Sequence, residues 1–224
     1  MSYAICNPIY HPSESFLLDY AAGSAPEPIG LLVASHLTLC PACRREVEQL
    51  ERLGGALLEE LHPEPVGQHA LAHLFARIEQ GEAEQAPEPR PRHENVPASD
   101  LPRPLLDYVG TSLDDPSWRR FGPIAEVKLL KDFGDFTTRL LRVEAGKAIP
   151  SHIHSGRELT LVLRGGFSDL NGRYRRGDVA QEEPQTAHRP LADEGEDCLC
   201  LVVTDAPLRL TGFLGRLLHP FFRI

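Results

Sequence analysis

The spacing of three polar side chains in the second half of this 224-residue chain constrains its fold more than any other feature. Residues two apart on a β-strand share a face, so His152 and His154 project to the same side, and Glu158 lies at an even offset from both. This pattern predicts that the three side chains converge in the interior of a barrel. The full pattern lies between two glycines, as Gly146-x5-His152-x-His154-x3-Glu158-x6-Gly165.

A further histidine follows about thirty residues later. His188 is eleven positions after Gly177, and Pro184 lies between them. Three imidazoles and one carboxylate suit a divalent metal such as zinc, manganese, iron or nickel, and geometry rather than ligand type decides among these ions. We therefore predict a second-half metal site, with zinc as the expected ion, formed by His152, His154, Glu158 and His188.

Another pattern of metal ligands lies near the N-terminus, in the stretch His36-Leu-Thr-Leu-Cys40-Pro-Ala-Cys43. Pro41 suits the first position of a helix, so we expect His36 near the end of one helix and Cys40 at the cap of the next. The positive end of that second helix should favour the thiolate forms of Cys40 and Cys43. Two thiolates and one imidazole indicate a tetrahedral zinc site that needs one more ligand.

The spacing leaves the fourth ligand of this zinc site open. The candidates are His11, Cys6, His62, His69 and His73. We rank His11 first, because it directly precedes the first predicted helix, where a short extension can reach back to a neighbouring helix junction. A thioredoxin-type redox pair is the alternative for the two cysteines, but no predicted strand precedes them, and a histidine lies at the offset that a metal site requires.

The composition divides the chain at residues 82–104, which contain many prolines and charges and indicate an extended linker. Residues 1–81 show helical periodicity, although Gly54 and Gly55 should weaken or bend the third helix. Residues 105–224 contain short β-rich runs separated by glycine turns. The predicted fold class is multidomain α + all-β, with a small helical bundle that holds structural zinc followed by a barrel. No leader and no apolar run of about 20 residues is present, so we expect a cytoplasmic protein without membrane contact.

Charge is distributed unevenly along the chain. Residues 1–90 contain five arginines, no lysine and thirteen acidic residues, and so carry −8 of the net charge of −9. Phosphate contacts require clustered basic residues, which disfavours direct nucleic-acid binding and a DNA-binding zinc finger. A basic protein partner suits this segment better. The fourth predicted helix has an apolar stripe that either lies in a partner groove or packs inside the bundle, formed by Leu71, Leu74, Phe75 and Ile78.

Two cysteines alternate on a predicted strand near the end of the chain. On a regular strand the Cα atoms of Cys198 and Cys200 lie about 6.6 Å apart, close to the upper limit for a disulfide. We therefore expect two buried thiols in the resting state. They remain candidate redox residues, because accessible thiolate sulfur is easily oxidised.

The patterns resemble two known families. The segment from Gly146 to Gly165 resembles cupin motif one in every defining position, and Gly177 to His188 resembles motif two more loosely, with Pro184 displaced by one place. The first half resembles the zinc-binding anti-sigma domain, in which an upstream histidine precedes HxxxCxxC. In this order the two halves resemble the ChrR-type anti-sigma factors over nearly the whole chain except the linker.

The resemblance implies a fold and a function. Residues 1–81 would form a zinc-binding helical anti-sigma domain and residues 105–224 a cupin (double-stranded β-helix) barrel. The helical domain would sequester an extracytoplasmic-function (ECF), sigma E-like sigma factor. The barrel would release it in response to singlet oxygen or organic hydroperoxide. The resemblance carries zinc ligation to His11, His36, Cys40 and Cys43, and barrel metal ligation to His152, His154, Glu158 and His188.

An enzymatic barrel is the alternative from a different class of function. Four protein ligands leave open positions on a five- or six-coordinate metal, so the ligand count permits a metal-dependent dioxygenase or isomerase. No general base beyond the ligands stands out in the sequence, and a zinc bundle has no purpose in a simple enzyme. We therefore expect a regulator without catalytic residues, although a small-molecule ligand of the barrel is compatible with the sequence.

Overall fold

The structure is a computed structural model that describes residues 7–80, 101–109, 118–130, 133–206 and 208–210. Within these ranges the helices come first and the strands follow, in agreement with the predicted fold class. The helices are α1 (Glu14–Ala21), α2 (Glu27–Leu39), α3 (Pro41–Glu59), α4 (Ala70–Glu79) and α5 (Arg103–Val109). In these ranges we find no helix with the length and apolar character needed to cross a bilayer.

The junction between α2 and α3 follows from its local sequence. Cys40 is extended, with φ −115° and ψ 102°, and it separates the two helices. Pro41 occupies the start of α3, where its missing N–H group costs no hydrogen bond. The Sγ atom of Cys40 accepts a hydrogen bond from the backbone N–H of Cys43 at 3.5 Å, so the cysteine caps the helix as predicted. Helix α3 continues through Gly54 and Gly55, where we expect it to be weaker or bent.

The strands form three antiparallel sheets in the described part of the chain. The largest has the order β1-β2-β3-β11-β5-β8, and the smaller ones have the orders β10-β6-β7 and β12-β4-β9. The strands are β1 (Arg119–Phe121), β2 (Ile124–Leu130), β3 (Thr137–Val143), β4 (His152–His154), β5 (Glu158–Arg164), β6 (Gly166–Ser168), β7 (Arg173–Arg175), β8 (Val179–Glu182), β9 (Ala187–His188), β10 (Leu191–Ala192), β11 (Cys198–Thr204) and β12 (Leu208–Leu210).

The central strands of the large sheet are buried on both faces. On β5, Thr160 faces the barrel interior, whereas Leu159 and Leu161 point to the other side and pack against the helices. Neighbouring β11 alternates in the same way, with Leu201 on the helix side. The helices and the sheet thus share one apolar cluster, to which the helices contribute Leu17, Ile29, Leu31, Leu32, Val33 and Leu105.

The segment after the predicted linker packs against the N-terminal helices. Leu105 of α5 is fully buried in the shared cluster, and the hydroxyl of Tyr108 donates a hydrogen bond to Glu27 Oε1 of α2 at 2.8 Å. Most of the predicted linker, residues 82–100, lies outside the described residues. The boundaries at 81 and 105 therefore remain our proposal, and the two parts on either side make direct contact.

The end of α3 and the whole of α4 extend away from this core. The side chains of the predicted α4 stripe are 52–66% exposed, so they do not pack inside the bundle. Leu53, Leu57 and Leu58 near the end of α3, and Leu61 just after it, are also largely exposed. This leaves a long helical segment whose apolar side chains face solvent.

We predict that the helices and the barrel unfold together. The substitution Leu161→Ala should lower the free energy of unfolding by about 2–5 kcal/mol, because it leaves a cavity between the sheet and the helices. Urea unfolding can be followed by the circular dichroism of the helices and by the fluorescence of Trp118, the chain's single tryptophan. The midpoints of both transitions should move to the same lower urea concentration. Leu170→Ala is the control, since Leu170 is 92% exposed and should shift neither signal. Separate transitions for the two signals would contradict a shared core.

Candidate metal centres

Four side chains meet at the junction of α2 and α3 with the spacing of a tetrahedral metal site. His11 Nδ1 lies 3.4 Å from Cys40 Sγ and 3.3 Å from Cys43 Sγ, and His36 Nε2 lies 3.3 Å from Cys43 Sγ. Zn–S bonds of about 2.3 Å and Zn–N bonds of about 2.1 Å set the edge of a tetrahedral site at about 3.5 Å. These four residues, the helix-junction group, therefore fit a metal ion.

Local structure orients each member of the helix-junction group. His36 lies in the last turn of α2, Cys40 caps α3, and Cys43 lies in its first turn. The His36 Nδ1–H group donates a hydrogen bond to the carbonyl oxygen of Gly177 in the barrel, at 2.8 Å. Because a carbonyl only accepts, this bond fixes the proton on Nδ1 and leaves the Nε2 lone pair facing the cysteines.

Burial, rather than the helix dipole, dominates the electrostatics of this group. It lowers the pKa of His36 to about 4, so the ring is neutral at pH 7 and ready to bind a metal. Burial, followed by the negative charge of Cys40, raises the pKa of Cys43 to about 12. At Cys43, burial therefore outweighs the expected stabilisation of the thiolate by the helix end. A bound cation would supply the missing positive charge, because a coordinating thiol is deprotonated.

The other candidates for the fourth ligand do not join this group. His62, His69 and His73 are exposed, and His69 and His73 lie next to each other at the start of α4. Cys6 lies outside the described residues. Of the described candidates, His11 is the one that the structure brings to the cysteines.

The barrel brings together the second group of ligands, which we call the barrel group. His152 and His154 lie on β4, and His188 lies on β9 directly opposite His152. Their Nε2 atoms converge, with 2.7 Å between His188 and His152 and 2.9 Å between His188 and His154. Glu158 Oε1 lies 3.9 Å from His188 Nε2. Glu158 begins β5 rather than continuing β4, so a chain turn, and not one continuous strand, delivers the carboxylate.

His152 and His154 are poised as neutral ligands. The Nδ1–H group of His152 donates to the carbonyl oxygen of Pro150 at 2.8 Å, which leaves its Nε2 lone pair facing His188. Burial lowers the pKa of His152 and of His154 to about 4 each, so both rings are uncharged at pH 7. The three ring nitrogens converge on one point, where a shared cation would satisfy them together.

A set of carboxylates behind His188 was not predicted from the sequence. Its Nδ1 atom lies 3.5 Å from Asp169 Oδ2 and 3.7 Å from Glu182 Oε1. Asn171 holds Glu182 through two contacts of 3.0 Å, and burial raises the pKa of Glu182. A metal-bound histidine usually presents its other nitrogen to a carboxylate, so these residues suit the outer shell of the barrel group. The turn-forming Asp169-Leu-Asn171-Gly stretch was the available sequence signal.

An internal cavity of about 210 Å³ lies beside the barrel group. Its walls are mainly apolar, but a buried pair of Arg139 and Glu126, whose Nη1 and Oε2 atoms are 3.5 Å apart, also lines it. Cys198 and Cys200 line the same cavity as free, buried thiols with 3.5 Å between their sulfur atoms. The contact with Cys198, together with burial, raises the pKa of Cys200 well above its ordinary value, so this thiol is protonated at rest.

We predict that the full-length chain binds two metal ions, one in each group. Cys43→Ala should remove one ion and His154→Ala the other, since each change removes a buried ligand from only one group. Elemental analysis of the purified variants should give about one metal per chain instead of about two. His69→Ala is the matched control, because its exposed ring belongs to neither group, and it should retain both ions. An unchanged metal content in His154→Ala would contradict the assignment of the barrel group.

Comparison with known proteins places these features in a family. The ChrR Cupin-like domain matches residues 108–207. The chain is 41% identical over 215 residues to the Anti-sigma-E factor ChrR of Cereibacter sphaeroides, which covers 96% of this chain and 98% of that protein. It also resembles the crystal structure of Rhodobacter sphaeroides SigE in complex with the anti-sigma ChrR, at a TM-score of 0.71 and 37% identity, over 87% of this chain and 98% of that chain. With this identity across helices and barrel alike, the chain belongs to the ChrR family of anti-sigma factors.

Proposed function

We propose that this protein is an anti-sigma factor that binds an ECF sigma factor of the sigma E type and keeps it from RNA polymerase. The observation that carries this proposal is the similarity of nearly the whole chain to an anti-sigma-E factor. The chain also resembles an anti-sigma ChrR whose crystal structure was solved in complex with SigE. The role is regulatory rather than enzymatic. The proposed place of action is the cytoplasm, where sigma factors meet RNA polymerase.

The exposed apolar side of α4 supports a docking function for the helical part. Leu71, Leu74, Phe75 and Ile78, which we call the α4 face, follow the i, i+3, i+4, i+7 spacing of one helical stripe. A folded protein rarely leaves such a stripe in water unless a partner covers it. The excess of acidic residues around it favours a partner with basic surfaces, as expected for a protein that binds promoter DNA and RNA polymerase.

Zinc is the proposed ion of the helix-junction group. Two cysteines, two histidines and tetrahedral spacing are typical of a structural zinc site. For the barrel group we propose a divalent ion, with zinc as the expected ion, because three imidazoles and one carboxylate suit such a metal.

The barrel is the proposed sensor of an oxidative signal such as singlet oxygen or organic hydroperoxide. One cavity is lined by both kinds of candidate target, the imidazoles of His152 and His188 and the Cys198–Cys200 pair. Oxidation of an imidazole would remove a metal ligand. Oxidation of a thiol would insert polar oxygen into a buried strand, with a packing cost. The raised pKa of Cys200 slows thiolate chemistry and favours the imidazole route.

We predict that the α4 face is needed to bind the sigma factor. Phe75→Asp should weaken binding at least 100-fold, because it places a charge in the centre of an apolar contact. Binding can be measured by calorimetry with an ECF sigma factor from the same genome, and with the SigE of Rhodobacter sphaeroides as a second probe.

Leu170→Asp is the matched control for this experiment. Leu170 is even more exposed than the α4 side chains, and it lies in the barrel, so its replacement should leave sigma binding unchanged. Equal binding by Phe75→Asp and the wild-type chain would contradict docking at the α4 face.

We predict that release by singlet oxygen requires the barrel group. A strain with His154→Ala should hold the sigma factor but fail to raise sigma-dependent transcription on illumination with a photosensitiser, because the oxidisable metal site is already lost. His69→Ala should respond normally. Failure in Cys198→Ser but not in His154→Ala would assign the chemistry to the thiols, and a normal response in both variants would contradict a sensor in the barrel.

A further inference from the structure

We propose that the barrel turn Gly177–Asp178 supports the helix-junction group from outside, so that the barrel raises the metal affinity of a site between two N-terminal helices. This inference does not rest on the proposed anti-sigma function. It rests on hydrogen bonds that cross between residues about 140 to 170 positions apart in the chain.

The first contact fixes His36. The carbonyl of Gly177 accepts from His36 Nδ1–H at 2.8 Å, in a buried position. Gly177 has a φ of 94°, in the left-handed region, which turns this carbonyl toward the helices. The barrel backbone therefore sets both the tautomer and the orientation of one metal-facing imidazole.

The second set of contacts fixes the segment that carries His11. Asp178 is 3% exposed, and its Oδ1 atom accepts from the backbone N–H groups of Ile9 at 2.7 Å and Tyr10 at 3.1 Å. Its Oδ2 atom accepts from the N–H group of Arg175 at 2.8 Å, which holds the carboxylate in place. One buried side chain thus ties the approach to His11 to the barrel.

The segment before α1 then continues along the free edge of β8, the last strand of the large sheet. The backbone N–H group of Val179 donates to the carbonyl of Tyr10 at 3.0 Å, and Gln181 Nε2 donates to the carbonyl of His11 at 3.1 Å. The ring of Tyr10 packs in a tilted arrangement against that of Tyr174, with 4.6 Å between centroids. These contacts cover a sheet edge and leave little freedom to His11.

The helix-junction group therefore has two kinds of support. The cysteines are held by α3 itself, whereas the ring of His36 and the backbone of His11 also contact the barrel. The same strand β8 reaches the barrel group, because Glu182 at its other end lies 3.7 Å from His188 Nδ1. Outer-shell partners of this kind change metal affinity by about 10- to 100-fold when they are removed.

The test uses the full-length chain, freed of metal and titrated with cobalt(II) against a competing chelator. Thiolate-to-cobalt charge-transfer absorption reports only the helix-junction group, because the barrel group contains no cysteine. Asp178→Ala should weaken cobalt binding at this site about 10- to 100-fold. Hydrogen exchange at the amides of Ile9 and Tyr10 should become faster in the same variant.

Asp197→Ala is the matched control. Asp197 is also a barrel carboxylate that accepts from a backbone N–H group, that of Ala145 at 3.1 Å, and it pairs with Arg142. Its loss should leave the charge-transfer titration unchanged. Equal affinities in Asp178→Ala, Asp197→Ala and the wild-type chain would overturn the proposal.

Tyr10→Ala keeps the test decisive if Asp178→Ala does not fold. Tyr10 lies outside the barrel strands, so its replacement loosens the His11 segment without altering strand pairing. It should also lower the cobalt affinity of the helix-junction group, with an unchanged far-ultraviolet spectrum. Wild-type affinity in Tyr10→Ala would show that the barrel contacts do not support the site.

Discussion

The burial of leucine side chains between the large sheet and the helices is the interaction on which the rest of the structure depends. Leu161 and Leu201 lie on the outer face of central strands and have no exposed surface, because α1, α2 and α5 cover that face. Burial of one such side chain stabilises a protein by about 1.5–3 kcal/mol, so a row of them determines that these two surfaces meet. Apolar contact is not directional, however, and leaves their alignment open.

Buried polar groups at the edge of this apolar contact determine the alignment. Gly177, Asp178 and His36 are all buried, and a buried donor or acceptor without its partner costs about 1–3 kcal/mol. The leucine contacts and these hydrogen bonds form together when the helices dock on the barrel in one orientation. The same orientation brings His11 and His36 to Cys40 and Cys43. The geometry of the helix-junction group is therefore a consequence of how the helices dock on the barrel.

Local chemistry made part of this structure predictable. The capping of α3 by Cys40, followed by Pro41, and the positive φ angles of Gly146 and Gly165 follow from backbone rules that act over a few residues. Asp178 was not predictable, because its partners lie 168 and 169 residues away and no short pattern encodes that proximity. The raised pKa of the Cys43 thiol was missed for the same reason, since burial is set by tertiary packing and outweighs the helix end.

Thermodynamic reciprocity links the two metal groups if the barrel supports the helix junction. If a contact raises the metal affinity of a site by some factor, metal binding raises the equilibrium constant for forming that contact by the same factor. Strand β8 touches both groups, since Asp178 directly precedes it and Glu182 ends it beside His188. A change at the barrel group can affect the helices only if it alters a contact between the barrel and the helices. The short distance from Asp178 to Glu182 along one strand makes displacement of β8 the simplest change that would reach both groups.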